Sequence, residues 1–187
     1  MAQDEFLREC FVLRLQSVEV YPAGQTAGIE RSRIASSRQV LLHQIYGTVL
    51  EAGANRYAAE QLQRRFLDHS ESEVPIRKDF EVSEKELRAH DILFVGRPET
   101  NSALAAWRER LGLHYEGAEF HIDGVEHPSE YDSLLLAACN PMDRKRMVLV
   151  IAGNSPLETV RAALAKIERT QYTVYRNGKV AESGFLK

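Results

Sequence analysis

From residue 39 onward the apolar and polar positions alternate in blocks that predict strands followed by helices. QVLLHQIYGT (39–48) is a mostly apolar run closed by a glycine, the pattern of a buried strand. In NRYAAEQLQRRFL (55–67), Ala59, Leu62 and Phe66 recur on one helical stripe while charges fill the other faces. VPIRKDFEV (74–82) contains a second short strand. SEKELRAH then opens a helix with a capping box, in which Ser83 accepts from the third helical amide and Glu86 reaches back. DILFV (91–95) is the third strand, and Asn101 is the expected N-cap of a helix whose stripe is Leu104, Trp107 and Leu111.

The second half continues the pattern. EFHIDGVEH (119–127) predicts a hairpin about Asp123-Gly124, a pair suited to a type I′ turn. LLLAACNP and RMVLVIAGN follow, the latter an apolar strand ending at Gly153. Ser155-Pro156-Leu157-Glu158 reads as another capping box with proline at the first helical position, opening a helix whose stripe is Leu157, Val160, Leu164 and Ile167. YTVYRNGKVAESGF closes the chain with a hairpin around Asn177-Gly178. Strands followed by helices, with these two hairpins, predict an α/β fold: a three-layer Rossmann-like sandwich with a mixed, centrally parallel sheet and β-hairpins at 119–127 and 172–185. Upstream, FVLRLQSVEV (11–20) reads as a strand and residues 21–38 as a linker. The expected organisation is therefore an N-terminal strand and linker over 1–38 and an α/β domain over 39–187.

Composition narrows the function classes. A chain of 187 residues, 44% hydrophobic and 27% charged, has the make-up of a soluble globular protein with a real core. A formal charge of −3 gives no electrostatic case for nucleic acid or an anionic membrane, and neither is an expected partner. The short basic knots Arg31-Ser-Arg33 and Arg144-Lys145-Arg146 are expected on solvated loops. Cys10 and Cys139 form no CxxC, so neither a disulfide framework nor a zinc knuckle is indicated. No apolar run approaches the roughly 18 residues of a membrane span, and MAQDEFLRECFVLRL carries no signal-peptide pattern.

In open α/β sheets ligands sit beyond the carboxyl ends of the parallel strands. Three loops are expected there. The first runs from Gly47 and Thr48 to Gly53 and Asn55, the second from Gly96 and Arg97 to Asn101, and the third is Gly153-Asn154-Ser155. Each joins a strand-ending glycine to a helix-capping polar residue. Unpaired helix amides favour an anion there, and Arg97 would add a bidentate clamp. The same residues are also what any strand-to-helix corner needs. No loop matches GxGxxG or GxxxxGK[ST], and the chain contains no GxSxG and no HExxH. No catalytic residue, metal or cofactor is therefore expected. Ser155 sits where an N-cap belongs. His114, His121 and His127, with Glu119 and Glu126, read as exposed-strand residues, because the hairpin register sends His121 and His127 to opposite faces. Trp107, Tyr172 and Tyr175 read as core.

An ordered set of motifs adds a family context. Ile45-Tyr-Gly-Thr48 is followed by Lys78-Asp79 with Glu81-Val82-Ser83, and then by Asp91-Ile-Leu-Phe-Val-Gly96-x-Pro98-x-x-Asn101. Asn140-Pro141-x-x-x-Lys145-Arg146 then leads into Val148-Leu-Val-Ile-Ala-Gly153. Over about residues 39–187 this resembles the non-catalytic α/β domain of large bacterial secreted peptidases, prolyl-oligopeptidase-like or zinc aminopeptidase-like. The GxPxxN and NPxxxKR elements are its most specific parts. The resemblance implies an accessory role beside a peptidase domain in the same or a partner chain, and an extracytoplasmic location for a fragment of such a protein. It implies no reaction. A small-anion or nucleotide binding module is the alternative.

Overall fold

The computed structural model describes residues 39–43, 49–70, 74–117 and 119–186. The strand expected at 11–20, the linker at 21–38, the Arg31–Arg33 knot, Cys10, Gly47 and Thr48 lie outside the described residues. The fold is mixed α/β. Its elements are β1 (Gln39–His43), α1 (Val49–Ser70), β2 (Ile76–Lys78), α2 (Glu84–Ala89), β3 (Asp91–Val95) and α3 (Ser102–Trp107). There follow β4 (His114–Glu116), β5 (Glu119–Ile122), β6 (Val125–His127), β7 (Asp132–Asn140), β8 (Asp143–Gly153), α4 (Pro156–Leu164), β9 (Tyr172–Arg176) and β10 (Lys179–Gly184).

The large sheet runs in the order β10-β9-β7-β8-β3-β1-β2, and β4-β5-β6 form a separate antiparallel sheet. β1 pairs in parallel with both β2 and β3, and β3 with β8, whereas β7 is antiparallel to β8 and β9. The main sheet is thus mixed. All five residues of β3 are buried, as an apolar run covered on both faces requires.

Strand alternation sorts the core into two clusters. Ile92, Phe94, Leu134, Leu136, Val148 and Val150 face α2, α3 and the small sheet, which bring Leu87, Leu104, Trp107, Tyr115, Phe120 and Ile122. Trp107 meets Phe94 edge to face at 5.7 Å. The residues between them, Leu93, Val95, Leu135, Ile151 and Tyr175, face α1 and α4 through Ala58, Ala59, Leu62, Ala162 and Ala163. Both hairpins form where predicted. Asp123 and Asn177 take positive φ (50° and 52°), each followed by a glycine at positive φ, as type I′ turns need.

Four expectations change. The first helix begins at Val49, so Gly53 and Asn55 are helical rather than in a loop. Leu50, Glu51, Ala52 and Ala54 are good helix formers, Glu51 complements the positive end of the helix, and one interior glycine costs only about 1 kcal/mol. The stripe of α4 points the wrong way: Leu157 and Leu164 are 55% and 52% exposed, while Glu158, Thr159, Ala162 and Ala163 are buried. The cause is proximity. A Cβ on Gly153 would collide with the Thr159 amide and Glu158, so the start of α4 rests directly on the strand end and turns Glu158 and Thr159 inward. Arg65 of α1 then donates to the carbonyls of Ala163 (2.6 Å) and Ala165 (3.1 Å), closing the end of α4. Arg144-Lys145-Arg146 belongs to β8 rather than to a loop, although Arg144 and Lys145 remain exposed. Finally, His127 is buried, because its position opposite Phe120 turns it toward the first core.

Candidate functional site

The order of the parallel strands locates a topological switch point. From β1 the chain passes through α1 to β2 on one side, while β3 pairs on β1's other side. The helices that follow β1 and β3 pack on opposite faces of the sheet. Sheets of this kind hold ligands beyond the carboxyl ends of the strands that flank the switch point, which here are β1 and β3. Of the ten residues expected there, the structure brings together Asn55, Gly96, Arg97 and Asn101. Gly153, Asn154 and Ser155 form the corner after β8.

At the β3 corner Gly96 has φ 106°, and a Cβ there would come within 2.5 Å of Asn55 Nδ2. Its amide donates to the Ile151 carbonyl at 2.9 Å. One 3-10 turn from Pro98 to Thr100 follows, after which Asn101 Oδ1 accepts from the Leu104 amide at 2.9 Å, the predicted cap. Asp79 supports it from the turn after β2: its Oδ2 accepts from the Ser102 amide (2.7 Å) and hydroxyl (2.6 Å). Arg97 is not a free clamp. Its Nε and one terminal nitrogen donate to Glu51 Oε1 at 3.0 and 2.8 Å, and the other reaches the Gly117 carbonyl at 3.3 Å. Both side chains of this pair are largely buried. Among the described residues, Asn101 Nδ2, Asp79 Oδ1 and Tyr115 Oη are buried in this neighbourhood with no hydrogen-bond partner. Burial pushes the Tyr115 phenol far up, with Glu99 adding to the effect, so it stays protonated.

The β8 corner uses similar letters differently. Gly153 donates its amide to Thr159 Oγ1 at 2.9 Å. Asn154 Nδ2 donates to the carbonyls of His127 (2.7 Å) and Ser129 (2.9 Å). The expected capping box does not form. Ser155 makes no side-chain cap and instead donates its hydroxyl to the Glu130 carbonyl at 2.8 Å, while Glu158 contacts Arg161. Ser155 therefore joins α4 to the segment before β7.

Elsewhere, His121 Nδ1 stands 3.9 Å from Glu126, and His114 meets His121 edge to face at 5.1 Å. Among the described residues no group of three or more His, Cys, Asp or Glu side chains is placed to hold a metal, and no helix is long and apolar enough to cross a membrane. A groove of about 740 Å³ lies beside β2, lined by Glu60, Gln63, Arg64, Pro75, Ile76 and Arg77, and contains none of the expected site residues. Glu51 and Asp79 were not among the residues expected at the site. Both carry the signature of carboxylates at helix starts. No protein-family model matches the chain, and no curated protein matches it.

Proposed function

We propose that this chain is a non-catalytic accessory or interaction domain associated with a peptidase-like protein, built as a three-layer Rossmann-like sandwich. One observation carries the reading: the polar residues of its distinctive motifs are committed to the fold's own backbone and counter-charges. Asn101 caps α3. Arg97 is held by Glu51. Asn140, of the NPxxxKR element, donates to the Leu87 carbonyl at 2.7 Å and accepts from the Met142 amide at 2.8 Å, fastening the β7–β8 turn to the end of α2. These are framework roles, consistent with a module whose chemistry belongs to a neighbouring domain. The test is a peptidase and esterase assay on the chain alone, beside an inspection of the flanking reading frames. The expected results are no turnover by the chain and a GxSxG or HExxH region next to it. Turnover that is lost in Arg97→Ala, Asn101→Ala or Ser155→Ala would overturn the reading.

The switch-point topology favours a second reading, a small-anion or nucleotide binding module at the ends of β1 and β3. It draws on the buried, unbonded Tyr115 hydroxyl and Asn101 amide, and it requires an incoming anion to displace Glu51 from Arg97.

A further inference from the structure

We propose that His114 and His121, paired across β4 and β5, bind a divalent transition-metal ion of the Zn²⁺ class, with Glu116 and Glu126 as the outer carboxylates that orient the two rings. The site is separate from the strand-end corners and independent of both functional readings. Strand register builds it. His114 lies directly opposite His121, and His121 directly opposite Glu126. Tyr115, Phe120, Ile122 and His127 are buried beneath the small sheet. By alternation its outward positions are His114, Glu116, Glu119, His121 and Glu126, all of them titratable. Within the hairpin alone His121 and His127 diverge; the second imidazole on the outer face comes from β4, which the hairpin pattern does not include.

The geometry of the pair suits an ion. The ring centroids stand 5.1 Å apart with planes at 75°. A tetrahedral ion about 2 Å from one nitrogen of each ring holds two such centroids about 5 Å apart. Each ring also turns its other nitrogen toward a carboxylate: His114 Nε2 is 3.4 Å from Glu116 Oε1, and His121 Nδ1 is 3.9 Å from Glu126 Oε1. A carboxylate on the non-ligating nitrogen fixes the tautomer and raises the basicity of the ligating one, which assigns ligation to His114 Nδ1 and His121 Nε2. Among the described residues no third His, Cys, Asp or Glu side chain is placed to complete a protein shell, so water takes the remaining positions. Imidazole ligands select Zn²⁺, Ni²⁺ or Cu²⁺ over the oxygen-seeking Mg²⁺ and Ca²⁺. The three glutamates on the same face add a negative potential that draws a cation in.

The test is calorimetric titration of the full chain with Zn²⁺ and with Mg²⁺ at neutral pH, together with NMR of the imidazole nitrogens. Zn²⁺ should bind saturably, one ion per chain, and shift the ring signals of both His114 and His121, whereas Mg²⁺ should do neither. His114→Gln and His121→Gln should each abolish that binding, and Glu126→Gln should weaken it by about tenfold through the lost outer contact. The substituted side chains lie on the outer face, with His114 64% and Glu126 71% exposed. Should His121→Gln fail to fold, His114→Gln and the wild-type ring signals decide. No saturable Zn²⁺ binding, binding that leaves either ring unshifted or survives loss of His114, or equal binding of Mg²⁺ would overturn the proposal.

Discussion

The corners after β3 and β8 both place a glycine at the end of a buried parallel strand and a polar side chain before a helix, yet they solve different problems. Gly96 is required for its backbone angle and for the room taken by Asn55; Gly153 is required because α4 comes into contact with the strand end. Asn101 caps its own helix, whereas Ser155 leaves its helix and ties down the Glu130 carbonyl. The difference teaches that a strand–Gly–polar–helix pattern specifies a corner but not which hydrogen bonds close it. Closure depends on neighbours outside the pattern: the distant Asp79 and Glu51 at one corner, and the distant Glu130 with the nearby Thr159 at the other.

Stability measurements by urea denaturation break or sharpen this contrast. Gly153→Ala should have the largest effect, about 3 kcal/mol, because its Cβ meets backbone rather than a flexible side chain. Gly96→Ala should cost about 2 kcal/mol from strain at positive φ, part of it relieved in Gly96→Ala/Asn55→Ala, which removes the side chain in the way. No such relief exists for Gly153. Asn101→Ala should cost about 1 kcal/mol for the lost cap. Ser155→Ala should be the mildest, within about 0.5 kcal/mol, since it removes an exposed bond and no cap. Equal losses for Asn101→Ala and Ser155→Ala would erase the distinction between the two corners.

Local signals were legible where they are self-contained. The Ser83–Glu86 capping box forms, with Glu86 accepting from the Ser83 amide at 3.0 Å, and the Asp-Gly and Asn-Gly hairpins stand where their turn chemistry put them. The start of α1 is hidden in the sequence because Gly53 looks like a loop residue, although a helix tolerates it where nothing packs against it. The buried face of α4 does not follow apolar spacing, because the close contact of Glu158 and Thr159 with Gly153 turns that side of the helix, and not Leu157 and Leu164, toward the sheet. His127 was read as exposed because alternation says which face a residue shares but not which face is covered. At the candidate site, glycines and caps were visible in the chain. The pairing of Arg97 with Glu51, 46 positions apart, was not, because long-range ion pairs leave no local pattern.

The central claim is that these corners are closed by the protein's own groups rather than built for a ligand. Isothermal calorimetry with inorganic pyrophosphate and with ATP, on the wild type and on Arg97→Ala, tests it most directly. The account predicts heats indistinguishable from dilution for both proteins. Micromolar binding to the wild type that disappears in Arg97→Ala would contradict it and establish the anion site at the switch point.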